Sequence, residues 1–298
     1  MPRWRRQRPD HGEAPKRVTD IVLRSGAWRA RLLPEAGGLI AALTCDDVPV
    51  LRSMPPGTTD PLAAACFPMV PWCNRIGAGR FGWEGRVVAL APNFPPERHA
   101  IHGHGWQSPW QVESHSAEAC TLIHRHDGAA PGWPWAYEAR QTVALTDTAC
   151  RIALTLTNRS DRLMPGGIGL HPYLRRRPES RVTFAAESVI EVGADMLPTG
   201  TMRPADRFAD FARGAPLPEA TVDHCFTGWA GQAHVRDDLG TITVAAEGAQ
   251  HLHLYAPEAP DILCLEPVNH APDAANTGAM PLCEPGETIG LTLRIATA

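Results

Sequence analysis

Apolar residues fall at every second position in short runs along almost the whole of this chain, and turn-forming material separates the runs. In Arg151–Thr157 the side chains of Ile152, Leu154 and Leu156 share one face. In the run 289–295 the residues Ile289, Leu291, Leu293 and Ile295 share a face, with Thr292 and Arg294 opposite. A period of two is the mark of a strand, because successive side chains of an extended chain point to opposite sides. Shorter runs of the same kind lie near 28–33, 86–91, 110–113, 182–185, 241–246 and 251–255. Between them stand Pro34–Gly38, Asp46–Pro49, Pro92–Pro96, Asn158–Asp161 and Ala256–Pro260. The 26 glycines and 29 prolines among 298 residues suit frequent turns and oppose long helices. One short helical patch is expected, over Leu62–Cys66. Strands without intervening helices cannot build parallel βαβ units, so the pattern predicts an all-β fold, a large antiparallel β-sandwich. No internal repeat and no Gly/Ser-rich linker divides the chain, so one domain is expected from residue 18 to 298.

Charge and cysteine usage remove several classes of function. The balance is 28 basic against 32 acidic residues, a net charge of -4, which gives no basic field for nucleic acid. No apolar run approaches the roughly 20 residues of a membrane span. Residues 1–17 carry six basic side chains and no apolar stretch, and they are expected to form a disordered tail rather than a signal peptide. The eight cysteines show no C-x-x-C spacing, so reduced and mostly buried thiols of a cytoplasmic protein are expected.

Thirteen histidines raise the question of a metal. Three H-x-H pairs exist, His102/His104, His124/His126 and His251/His253, and on a strand such pairs share a face. A cupin-like site also needs a glutamate four or five residues beyond the second histidine, where this chain has Ser108 and Pro109 after His104. His251 and His253 alternate with Leu252 and Leu254, which predicts the polar face of an ordinary strand. No metal ligands are therefore assigned. Four Gly/Pro-rich segments where loops meet strands hold more promising groups: Phe67–Phe81, Ala100–Trp110, Gly167–Leu174 and Leu263–Ala274. In the last, Glu266 follows the apolar stretch Ile262–Leu265, and a carboxylate at the end of a buried strand needs a reason to be there.

Together these segments resemble the aldose 1-epimerases, or mutarotases, of the galactose-mutarotase-like fold. Asn74-Arg75-Ile76 with Gly79-Arg80-Phe81 is similar to the family's N-R-I-x-x-G-R-F signature. Ile101-His102-Gly103 is similar to its L-H-G segment, with Trp110 at the following aromatic position. His171-x-Tyr173 resembles its H-x-Y motif, and Asp223–Phe226 its D-x-x-F element. Cys264-Leu265-Glu266 followed by Pro272-Asp273-Ala274 resembles its C-terminal glutamate segment. The resemblance runs from about Leu32 to Ile295 and implies a β-supersandwich. It implies Glu266 as general base and His171 as general acid. Asn74, Arg75, His102 and Asp223, with Tyr173 in the same segment, would hold a sugar. Ring opening and reclosure move protons and no electrons, so no cofactor is expected. The expected partner is a small-molecule sugar, with neither nucleic acid nor membrane, on a monomer or homodimer.

Three departures leave the sugar open. His104 stands where the family often has glycine, and Gly169-Leu170 precedes His171. The stretch after Glu266 is one residue longer than usual, so Asn269 has no secure counterpart. A hexose-6-phosphate epimerase, with Arg175-Arg176-Arg177 as phosphate clamp, and a non-catalytic carbohydrate-binding protein are the alternatives. Alternation would aim neighbouring arginines apart, which favours a solvated turn and an unphosphorylated aldohexose.

Overall fold

The computed structural model describes residues 20–129, 132–259 and 261–298; the expected basic tail at 1–17 lies outside them. Two large sheets dominate. The first has eleven strands, and its centre reads Leu39–Cys45, Cys66–Met69, Gly169–Pro172, Cys264–Val268, His251–Ala256 and Val222–Thr227. The second has nine, with Tyr137–Leu145, Cys150–Asn158, Thr288–Thr297 and Gly240–Glu247 at its middle. Their ladders are antiparallel, as expected of a sandwich without βα alternation.

The period-two runs explain which faces meet. Ile152 sits opposite Leu293 and Leu154 opposite Leu291, so both strands present the same apolar face. That face joins one continuous core with Leu170, Leu252, Leu254, Leu265, Val222 and Phe226 of the first sheet. Burying each such leucine contributes about 1.5–3 kcal/mol.

The first sheet is buried on its other face as well. Phe67, Met69, Tyr173, Cys264 and Val268 lie there in a second apolar cluster with Trp106 and Ile101. Because side chains alternate, His171, His253, Asp223 and Glu266 point to this second face, away from the partner sheet. The functional groups thus stand on a rigid floor whose underside is the main core.

The expected helix at Leu62–Cys66 is a correction. A single 3-10 turn, Pro61–Ala63, begins where the Asp60 side chain accepts the Leu62 N–H at 3.0 Å. The chain then straightens into the strand Cys66–Met69, because Cys66 and Phe67 complete the ladder beside Pro172 and His171. Among the described residues the one α-helix is Ala274–Thr277. All eight cysteines are free thiols, seven of them buried. No helix of the described residues is long and apolar enough to cross a membrane.

Candidate active site

A cavity of about 320 Å³ opens over the floor. That is the low end of the range for small-ligand pockets. It is lined by Asn74, Arg75, His102, His171, Tyr173, Asp223 and Glu266, the seven residues expected from the sequence. Arg52, Phe67, Trp106, His253 and Tyr255 line it too.

Glu266 and His171 meet at the bottom. The imidazole Nε2 lies 3.2 Å from Glu266 Oε1, with side-chain exposures of 7% and 2%. Phe67 and Tyr173 both pack against the imidazole, with ring centroids 4.4 and 4.7 Å away and planes within 28° of its own, which fixes the ring plane. The Arg52 guanidinium lies over the Tyr173 ring, 3.4 Å from its centroid. Arg52 itself is held by the carbonyls of Ala64 and Leu62. Burial pushes the Glu266 carboxyl up to about 8 and the His171 imidazole down to about 3. Between those limits the pair carries one proton.

A second couple stands beside the first. His253 pairs across the ladder with Glu266, and its Nε2 lies 2.6 Å from Asp223 Oδ1. Burial is the largest influence and would lower the imidazole, but the hydrogen bonds to Asp223 and Cys225 and the charges of Glu266 and Asp223 together outweigh it and raise His253 to about 10. Burial works upward on Asp223, yet His253 and then Arg75 hold its carboxyl below the usual range. His253 was expected on the polar face of an ordinary strand; the structure corrects this. The strand is covered on both sides, and His253 is a 5% exposed cation facing the cavity.

The cavity roof depends on backbone that few residues adopt. Asn74 and His102 have φ of +51° and +59°. The two are locked together: the His102 N–H donates to the Asn74 carbonyl at 3.0 Å, and the Asn74 N–H donates to His102 Nδ1 at 3.2 Å. Burial drives His102 well below its ordinary value, so the ring is neutral. With Nδ1 accepting, its proton sits on Nε2, a donor for a ligand oxygen. Asn74 Oδ1 accepts the Arg75 N–H at 2.9 Å, and Arg75 Nε donates to Glu97 at 2.9 Å. Arg75 stands 3.9 Å from Asp223, which ties roof to floor.

Gly103 follows at φ +73°, where a Cβ would lie 1.9 Å from the Val70 carbonyl oxygen. Backbone cannot yield there as a side chain would. Gly103→Ala is expected to cost about 2–3 kcal/mol or more. A denaturation midpoint within error of wild type would refute this.

Other motif residues turn out to be structural. Trp110, assigned to the family's aromatic position, is buried in the core with its Nε1 donating to the Gly105 carbonyl at 2.9 Å. The 3-10 turn Gly105–Gln107 presents Trp106 to the cavity instead, stacked on Phe67 at 5.3 Å. Asn269 Oδ1 accepts the Ile168 N–H at 2.9 Å, and Asp273 accepts the Gly77 N–H at 2.8 Å. His104 packs beside His126 and Trp72, outside the cavity lining.

The first sheet thus carries a buried carboxylate–imidazole couple on its outer face, under a polar roof. The sequence model of the aldose 1-epimerase family matches residues 20–296, and the chain belongs to that family. YphB of Escherichia coli, a protein without assigned function, is 31% identical over 278 residues, covering 88% of this chain and 93% of its own. A crystal structure of a candidate aldose 1-epimerase from Escherichia coli K12 superposes with a TM-score of 0.87 at 29% identity, over 94% of this chain and 99% of that one. The galactose 1-epimerase of Lactobacillus acidophilus shares the fold, with a TM-score of 0.80 at 17% identity over 97% of each chain.

Proposed function

We propose that the protein interconverts the α and β anomers of a free aldohexose by general acid–base catalysis. The observation that carries the reading is the 3.2 Å contact between His171 Nε2 and Glu266 Oε1 at the bottom of a cavity of sugar dimensions. In the reactive form the shared proton stands on His171 and Glu266 is ionised. This has the same proton count as the empty pair, so the proton only crosses the contact. Glu266 removes the proton from the O1 hydroxyl while His171 protonates the ring oxygen, and the C1–O5 bond breaks to give the open aldehyde. Rotation about C1–C2 turns the other carbonyl face to the O5 hydroxyl. His171 then takes the proton from O5 as the C1–O5 bond re-forms, and Glu266 returns one to O1. His102 Nε2–H, Asn74, Arg75 and Asp223 hold hydroxyls, and Tyr173, Phe67 and Trp106 supply flat apolar surface for the ring.

An unphosphorylated substrate is supported by where the arginine run goes. Arg175 binds the Asp237 carboxylate through two nitrogens, at 2.8 and 2.9 Å. Arg176 donates to the carbonyls of Pro257, Ala259 and Ile262, and Arg177 pairs with Asp238. None of the three arginines lines the cavity, and each is already engaged by protein oxygens. The test is polarimetry on freshly dissolved anomers of glucose and galactose and on their 6-phosphates. Faster equilibration of the free sugars is expected, and a preference for the phosphates would overturn the reading. Prolonged EDTA treatment should leave the rate undiminished, since both proton transfers have a side-chain partner. A rate lost to chelator and restored by added metal would contradict it.

A further inference from the structure

Beside the acid–base couple, just behind the cavity lining, lies one group that the proposed chemistry does not use. Cys264 precedes Glu266 by two residues on the same strand, so both side chains point to the same face. Its thiol is fully buried, directly beside the acid–base couple. The Sγ, a nitrogen of His171 and a carboxylate oxygen of Glu266 all lie within 4.8 Å of one another. Among the described residues this is the one cluster of three such groups with that spacing, and none of the H-x-H pairs contributes to it.

We infer that Cys264, His171 and Glu266 form a binding site for a thiophilic divalent cation of the zinc class, and that the bound ion switches the site off. A tetrahedral zinc with bonds of about 2.0–2.3 Å sets its nitrogen, oxygen and sulfur donors about 3.3–3.6 Å apart. The His171–Glu266 separation of 3.2 Å is already close to that spacing. With all three donors within 4.8 Å, the sulfur needs to approach by no more than about 1.5 Å to reach that spacing. The mixed S, N and O donor set suits zinc and cobalt, whereas magnesium and calcium take oxygen ligands. The cavity leaves a fourth position open to water. Cysteine is also a common small core residue, and its burial alone would mean nothing more. What singles out Cys264 is its place on the same face as Glu266, next to a couple that itself lines the cavity.

Coordination expels the thiol proton and the proton of the pair to solvent and forms three metal–ligand bonds, with no change of oxidation state. The lone pair of His171 and the charge of Glu266 are then occupied. The inhibitory consequence rests on the proposed function, because neither proton transfer remains available; metal binding itself does not rest on it. Zinc and sugar compete for the same floor.

The experiment uses the purified full chain with cobalt(II) and zinc(II) salts as probes. One cobalt per chain is expected, with the thiolate-to-cobalt charge-transfer absorption, and saturating sugar should bleach that band. Cys264→Ser should abolish the band and weaken zinc binding in calorimetry by at least about 100-fold. Removing a mere hydrogen-bond support from a ligand already costs roughly 10–100-fold. The same variant should equilibrate anomers at the wild-type rate without metal, and should resist zinc concentrations that silence the wild type. Cobalt bound without the charge-transfer band, no stoichiometric binding, or unchanged zinc affinity in Cys264→Ser would each overturn the inference. Should that variant not fold by circular dichroism, the wild-type band decides, and its persistence at saturating sugar counts against the site. A band without any sugar turnover would sink the functional reading alone; turnover without a band would sink the metal site alone.

Discussion

Glu266→Gln and His171→Asn are each expected to lower kcat by at least ~10², the low end for losing general acid or base catalysis. Glu266→Gln keeps the side-chain shape, whereas His171→Asn also removes the ring that packs on Phe67 and Tyr173, so its fold is checked by circular dichroism before its rate is read. Sugar affinity should change far less than kcat, because Asn74, Arg75 and His102 stay in place. The double variant should be scarcely worse than either single one, since the two groups act on the same proton traffic. The pH profile supplies a second check. The couple carries its one working proton between about 3 and about 8, so activity should fall as pH rises past the upper limit. Near-wild-type turnover in either variant would refute the assignment, as would a rate still rising at pH 9.

Breaking the second couple should show as lost stability. His253→Gln leaves the Asp223 carboxylate with only Arg75, 3.9 Å away. Removing one partner of a buried ion pair costs about 3–5 kcal/mol, and the 20% exposure of the Asp223 side chain points to the low end. The pH dependence has a definite sign. His253 is raised from 6.5 to about 10, so its contribution is complete below pH 6.5 and is lost as pH climbs toward 10. Glu266, raised from 4.5 to about 8, adds to the decline up to pH 8 because the fold prefers its protonated form. His171, lowered from 6.5 to about 3, works in the opposite sense, but only below 6.5. Tm should therefore fall between pH 6.5 and 9, and His253→Gln should flatten that fall. A Tm difference between the two proteins that stays constant across this range would show that the His253 charge is not held by the fold.

Much of the architecture is legible from alternation alone. Ile152, Leu154 and Leu156 face the core as their spacing requires, and Leu293, Leu291 and Ile289 meet them in turn across one ladder. The order of strands is not legible that way. Gly169–Pro172 is flanked by Cys66–Met69 and Cys264–Val268, and no local property of a four-residue strand selects neighbours so distant in the chain. The seven cavity residues were reached through short motifs whose local geometry is special, such as the left-handed Asn74 and His102. His253 escaped because its alternation with Leu252 and Leu254 looks the same whether the other face meets water or a ligand cavity. The available signal was Asp223: an acid on a neighbouring buried strand needs a cationic partner, and the histidine nearest in register is His253. Trp106 was passed over for Trp110 because two indoles four residues apart cannot be ranked without knowing where the 3-10 turn falls.

The central position of Cys264–Val268 has a consequence for biosynthesis. This strand inserts between Gly169–Pro172 and His251–Ala256, both of which leave the ribosome before it. Until it arrives, the sheet is split, and each half presents an unpaired apolar edge of the kind that recruits other chains. The strand that closes the gap also carries Glu266, so a nascent chain is exposed to aggregation until the moment it acquires its carboxylate. Recovery of turnover on refolding should then coincide with the disappearance of chaperone-binding edges, and a chain truncated before residue 264 would be sticky and inert together.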